Sequence, residues 1–124
     1  MKILLIDDES RFLKLSKIKW ERKGDAKVDT TTSPEKALEK IDRNDYDVIV
    51  ADYKMPNLNG LEILEEIRGR GCKTPFVILT AKGGEEIAME ALNLKADRYI
   101  KKTAAPEKQY EMIIETIFEK PISL

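Results

Sequence analysis

Val48-Ile49-Val50-Ala51-Asp52-Tyr53-Lys54-Met55-Pro56, with Gly60 close behind, is the stretch on which the reading of this chain turns. β-Branched apolar residues run into one carboxylate, and turn formers follow at once. Such a run, bounded by breakers, reads as a buried strand. In open α/β sheets ligands bind outside the carboxyl ends of the strands, which puts Asp52 where chemistry is expected.

Outward from that stretch, Ile3-Leu4-Leu5-Ile6 is another buried strand, and it too stops on acids, Asp7, Asp8 and Glu9. A helix is predicted over Ser10 to Lys23, with Phe12, Leu15 and Trp20 inward, Ser16 and Lys19 interrupting the stripe, and Gly24 at its end. Lys27 to Thr31 is polar enough for a strand near a sheet edge. Ser33-Pro34 offers an N-cap hydroxyl and a proline at the first helical position, and Ala37, Leu38 and Ile41 form that helix's inner face. Leu61, Ile63, Leu64 and Ile67 make a third amphipathic helix, closed by Gly69-Arg70-Gly71.

Pro75 to Leu79 is a fourth strand, ending on Thr80 and Ala81. Glu85 to Leu94 is a short helix carrying Ile87, Ala88, Ala91 and Leu92, and Arg98 to Ile100 is a strand ending on Lys101 and Lys102. Pro106 opens the last helix, with Tyr110, Ile113, Ile114 and Ile117 on one face. Five alternations of strand and helix with short connections predict an α/β fold: a doubly wound parallel sheet with a layer of helices on each face. Strands that are apolar throughout agree with burial on both sides. One domain is expected over residues 1–124, with no repeat or linker.

Composition narrows the function. Hydrophobic residues make up 42% and charged residues 36%, which fits neither a disordered chain nor a membrane protein. Twenty-two basic and 23 acidic residues leave a net charge of -1, so no basic field points to nucleic acid. The single cysteine, Cys72, reads as a bystander in a reducing compartment, and the short apolar start is no signal peptide; the cytoplasm is expected. There is no histidine, which removes Ser-His-Asp triads and histidine zinc sites. No P-loop or Gly-x-Gly-x-x-Gly stretch offers a nucleotide site.

In a parallel sheet the ends that carry Asp7, Asp8, Asp52, Thr80 and Lys101 or Lys102 share one edge. Three carboxylates there repel each other unless a cation joins them. Mg²⁺ suits them, as a hard ion that takes oxygen ligands and keeps waters. A lysine and a threonine hydroxyl are what the outer oxygens of a phosphoryl group need. Aspartate is a nucleophile in acyl phosphate chemistry. These residue types point to aspartyl phosphorylation.

From first strand to last helix the chain resembles a receiver domain of two-component signalling, of the response-regulator, chemotaxis type. The matching residues are Asp7-Asp8, Asp52-x-x-Met55-Pro56-x-x-x-Gly60, Thr80-Ala81, and Tyr99 followed by lysine. That resemblance implies a flavodoxin-like fold with strand order 2-1-3-4-5. It implies Asp52 as phosphoacceptor, Asp8 and Asp52 as direct Mg²⁺ ligands, Asp7 helping through water, and the Lys54 backbone carbonyl as a further ligand. Lys102 would pair with the phosphoryl group, Thr80 would move toward it, and the rotamer of Tyr99 would report the switch to a partner-binding surface. The implied partners are a sensor histidine kinase or histidine phosphotransfer protein and a downstream effector, with no direct nucleic-acid or membrane role. The domain is expected to be a monomer or a phosphorylation-dependent dimer.

The chain departs from the family pattern at several places. Thr103 stands where proline commonly follows the lysine; a cis bond before a non-proline costs about 3 kcal/mol, so a trans bond and an altered loop are expected. Lys101 then rivals Lys102, although spacing and strand alternation favour Lys102. Lys95 replaces a common glycine, which strains the backbone by roughly 1 kcal/mol if the position needs a positive φ. Lys54 and Lys82 flank the site, and these extra cations are expected to alter access of the water that attacks the acyl phosphate.

Each residue taken singly has an ordinary reading. Asp7-Asp8 can start a helix, Asp52 can open a turn, Thr80 can be a strand residue or cap, and Tyr99 can be a packed aromatic. Those readings leave the convergence unexplained. A receiver-fold adaptor that no longer cycles phosphate is the alternative, supported by Thr103 alone. A haloacid-dehalogenase-type phosphatase lacks its Asp-x-Asp, since Tyr53-Lys54 follow Asp52, and a flavodoxin-like FMN binder lacks its glycine- and hydroxyl-rich first loop. The domain is read as a signalling module that promotes its own phosphorylation and dephosphorylation, not as an enzyme. No DNA-binding module follows Phe118, and both a stand-alone receiver and a receiver cut from a longer protein stay open.

Overall fold

The computed structural model describes residues 1–81, 89–91 and 93–118. Strands β1 (Lys2–Ile6), β2 (Lys27–Thr31), β3 (Val48–Asp52), β4 (Phe76–Thr80) and β5 (Arg98–Lys101) form one parallel sheet in the order β2-β1-β3-β4-β5. Helices α1 (Ser10–Lys23), α2 (Pro34–Arg43) and α3 (Gly60–Gly69) connect the first four strands, and a C-terminal helix spans Pro106–Phe118. Of the helix expected over Glu85 to Leu94, residues 89–91 and 93 are helical. Its Ile87, Ala88 and Leu92 lie outside the described residues.

Side chains alternate across the sheet and define two cores. On one face Leu4, Ile6, Ile49, Ala51, Phe76 and Ile78 pack under α2 and α3, with Ala91 and Ala96. On the other, Ile3, Leu5, Val48, Val50, Val77 and Leu79 pack under α1 and the C-terminal helix through Leu13, Trp20 and Ile113. Every residue of β3 and β4 is buried, which is why both read as unbroken apolar runs. Each such Val, Ile or Leu contributes about 1.5–3 kcal/mol by leaving water. β2, the polar strand, lies at an edge as expected.

The helix starts follow their sequence signals. Ser33 Oγ accepts from the Lys36 N–H, with Pro34 behind it. Asn59 and Glu62 form a reciprocal capping box at α3. The inward face of α1 differs from the expectation: Leu13, Ser16 and Trp20 are buried, whereas Leu15 is 51% exposed. Positions 13, 16 and 20 follow the helical period more closely than 12, 15 and 20 do, and Ser16 is small enough to sit inward. The C-terminal helix likewise buries Gln109 and Thr116 beside Ile113, and leaves Tyr110, Ile114 and Ile117 half-buried.

Candidate functional site

Strand alternation decides which side chains meet. Asp7 and Asp52 each follow residues of alternating face, and their parity matches Leu5 and Val50, which pack toward α1 and the C-terminal helix. Lys102 has the parity of Ile100, on that same side. Thr80 and Tyr99 have the opposite parity, shared with Ile78. Lys101 is exposed and is not among the residues that line the cleft, so the structure brings Lys102 and not Lys101 to the acids.

The ladder carries these residues past the strand ends. The Asp7 N–H donates to the Thr31 carbonyl at 3.2 Å, the Tyr53 N–H to Leu79 at 2.7 Å, and the Lys102 N–H to Thr80 at 2.8 Å. Above this edge opens a cleft of about 610 Å³ lined by Asp8, Glu9, Asp52, Tyr53, Lys54, Met55, Pro56, Thr80, Ala81 and Lys102. Asp7 is fully buried behind it, Asp52 is 6% exposed, and Asp8 is open to solvent. Oxygens of Asp7, Asp8 and Asp52 all lie within 4.8 Å of one another.

Lys102 is the cation among them. Its Nζ lies 2.7 Å from Asp7 Oδ2, 3.5 Å from Glu9 Oε1 and 3.7 Å from Asp52 Oδ2, with its side chain 9% exposed. The Asp7 contact is an ion pair at hydrogen-bond distance. Asp7 Oδ1 accepts from the Glu9 N–H at 2.9 Å. The Phe12 ring lies beneath the ammonium, 4.4 Å from its centroid. At that distance the ring's negative face attracts the cation.

One lysine is too little charge for this pocket. Burial and the Asp7 carboxylate push the Asp52 carboxyl up to about 7, against the pull of Lys102. Burial raises Asp7 too, partly offset by Lys102. Burial works against the Lys102 charge, but its hydrogen bond and charge pairing with Asp7, then Asp52 and Glu9, hold it above the usual lysine value. The donor set fits a hard divalent cation: all oxygen, two carboxylates buried, and spacings that one ion spans if a ligand acts through water.

Other features complete the setting. Gly60, the first residue of α3, donates its N–H to the Tyr53 carbonyl at 3.0 Å, folding the helix back against the end of β3. Tyr99 is half-buried against the core under α2 and α3, and its hydroxyl is buried with no hydrogen-bond partner among the described residues. Lys95 has φ +66°, with the Ala96 N–H bonded to Ala91 at 2.8 Å, so it is the left-handed cap of a Schellman ending. The Lys102–Thr103 bond is trans, as there is no cis bond among the described residues. Lys54 is an exposed residue of the cleft wall, and Lys82 lies outside the described residues.

Sequence reasoning passed over Glu9 as a partner of Lys102, Phe12 as its seat, and Gln109. Phe12 was legible only as an inward residue. Gln109 carried a signal, since a polar residue four positions before Ile113 falls on the inward stripe of its helix.

The response regulator receiver domain profile matches residues 3–114. Response regulator SaeR of Staphylococcus aureus is 38% identical over 106 residues, which is 86% of this chain and 46% of that protein. The chain thus spans about half the length of the curated relatives it matches. Among solved structures, a response regulator receiver domain protein from Clostridium thermocellum is 34% identical, with a TM-score of 0.85 over 94% of each chain. The receiver domain of Francisella response regulator 1452 superposes with a TM-score of 0.87 at 29% identity, covering 94% of this chain and 96% of that one. The profile match over residues 3–114 places this doubly wound sheet and its acidic pocket in the receiver class of signalling domain. This chain belongs to the response regulator receiver domain family.

Proposed function

We propose that residues 1–124 form one receiver domain in which Asp52 accepts a phosphoryl group in a Mg²⁺-dependent reaction. The observation that carries this reading is the placement of the Lys102 ammonium between the buried carboxylates of Asp7 and Asp52, 2.7 and 3.7 Å away, at the floor of an open cleft. Because the chain has no histidine, the donor is a phosphohistidine on a sensor histidine kinase or histidine phosphotransfer protein.

An Asp52 carboxylate oxygen attacks phosphorus, the phosphorus–nitrogen bond to the donor imidazole breaks, and an acyl phosphate forms. Asp8 and Asp52 would hold Mg²⁺, with Asp7 assisting through water and the Lys54 carbonyl as a further ligand. When bound, the ion neutralises charge that builds on the phosphoryl oxygens. The Lys102 ammonium turns from Asp52 to the new oxygens while it keeps its ion pair with Asp7. Phosphorylation brings roughly 1.5 to 2 negative charges. Thr80, buried at the end of β4, closes on them. Tyr99, on the same face as Thr80, relays that movement to a surface read by an effector.

The domain then promotes loss of its own phosphoryl group to water, which makes it a signalling module. A cytoplasmic setting and a monomer or phosphorylation-dependent dimer go with this reading. No described helix is long and apolar enough to cross a membrane. The adaptor alternative rests on Thr103, and the assembled cleft favours cycling over it.

Intact mass after incubation with acetyl phosphate tests the reading. One added phosphoryl group that requires Mg²⁺ and is lost in Asp52→Asn is expected. A folded protein that gains no mass, and ignores a beryllofluoride mimic, would instead be the adaptor.

A further inference from the structure

Thr103 lacks the ring that would fix φ after Lys102, so another contact has to hold that loop. The structure supplies it from the C-terminal helix. Gln109 is 2% exposed, and its Nε2 donates to the Lys102 carbonyl at 3.0 Å and the Ala104 carbonyl at 3.1 Å. Two carbonyls converging on one nitrogen settle the orientation of the amide, since the flipped group would set oxygen against oxygen.

The arrangement has a cost. Gln109 Oε1 is buried and has no hydrogen-bond partner among the described residues. A leucine would fill the same inward position of the helix with no acceptor to desolvate, so packing alone does not account for an amide there. What the amide does is complete the grip on Lys102. The Lys102 N–H is bonded to Thr80 on one side, its carbonyl to Gln109 on the other, and its ammonium to Asp7.

We infer that Gln109 is a positioning residue for the phosphoryl chemistry of Asp52, holding by two hydrogen bonds the loop that sets where the Lys102 ammonium stands. Gln109 touches none of the reacting groups; it acts through the Lys102 backbone. The Lys102–Asp52 separation of 3.7 Å changes with small movements of that loop. The inference rests on the phosphoacceptor reading for its consequence, but the control of Lys102 itself is separable from it.

Two variants of the full chain test this. Gln109→Leu keeps the volume and removes both donors. Gln109→Glu keeps the shape but sets a carboxylate against two carbonyls, and donates only when protonated. Each is compared with the parent by the rate of phosphoryl uptake over a range of acetyl phosphate concentrations, by Mg²⁺ affinity, and by the NMR signal of the Lys102 side chain. The expected result is a maximal rate about tenfold lower in both, with Mg²⁺ affinity within about twofold of the parent because Asp8 and Asp52 are untouched. The Lys102 signal shifts in both, and the Gln109→Glu rate relative to the parent recovers as pH is lowered while that of Gln109→Leu does not. A folded Gln109→Leu with the parental rate and an unmoved Lys102 signal overturns the inference. If the parent takes no phosphoryl group, the phosphoacceptor reading fails, and the Lys102 signal alone decides whether Gln109 sets that side chain.

Discussion

A Cβ on Gly60 would stand 2.6 Å from the carbonyl oxygen of Asp52, closer than real Cβ atoms come to backbone. The start of α3 and the end of β3 therefore touch main chain to main chain, and the glycine is needed for space. Gly60→Ala has to push the helix off the strand or shift Asp52. We expect a loss of about 1–3 kcal/mol in urea unfolding, as for an overpacked core, together with slower phosphoryl uptake. Unchanged stability and uptake would mean that α3 yields without disturbing the carboxylate.

Asp52→Asn is expected to stabilise the metal-free protein near neutral pH. The folded Asp52 carboxyl is raised from 3.8 to about 7, so the folded state holds that proton more tightly than the unfolded chain does. Stability thus falls as pH rises between those two values, and the whole cost is present above the upper one. At roughly 1.4 kcal/mol for each pKa unit, the gain at about pH 8 amounts to a few kcal/mol and fades by about pH 4. Denaturant melts of parent and variant across that range check this. Saturating Mg²⁺ should shrink the gain, because the cation compensates the charge that the asparagine removes.

Lys102→Met is expected to separate metal binding from phosphoryl transfer. The ammonium occupies the space between Asp7 and Asp52, so its removal leaves more negative charge for a divalent ion. Mg²⁺ affinity, read by calorimetry, should rise by about tenfold, close to the worth of one nearby charge screened by water in the open cleft. Phosphoryl uptake should fall. Weaker Mg²⁺ binding in the variant would show that Lys102 supports the acid cluster more than it competes.

Lys95→Gly should stabilise the fold by roughly 1 kcal/mol, because the left-handed conformation at φ +66° strains a side chain and not glycine. The Lys95 carbonyl also accepts from Arg68, which itself pairs with Asp97, so the local geometry is held from α3 whichever residue occupies the position. Thermal unfolding reads the effect. A loss on substitution would place the larger effect in the unfolded chain, where glycine has more freedom to lose.

Much was legible before any coordinates. The apolar runs ending on Asp7, Asp52 and Thr80 marked strands buried on both faces, and their order with the intervening helices and the short strand before Lys102 implied a parallel sheet with its chemistry at one edge. Period-2 alternation selected Lys102 over Lys101. Less was legible on the helices, where Ser16, Gln109 and Thr116 are buried polar residues and Leu15 an exposed apolar one. Composition points the wrong way at such positions, because how closely a helix approaches its neighbour decides whether a small or hydrogen-bonding side chain fits inward.

By itself, then, the sequence determined the sheet, its order by resemblance, and the residues gathered at its edge, since strand runs, turn formers and charges are local signals. Only the tertiary structure decided how those residues share their charges. Lys102 lies nearer Asp7 than Asp52, the Phe12 ring supports it, Gly60 leaves room for the Asp52 backbone, and Gln109 holds the loop where proline is missing. The contacts of Lys102 with Asp7, Asp52 and Phe12 join segments far apart in the chain, and those of Gly60 and Gln109 fold a helix back on the strand end just before it. Their distances are set by how α1, α3 and the C-terminal helix pack on the sheet, and no local pattern of residues records that packing.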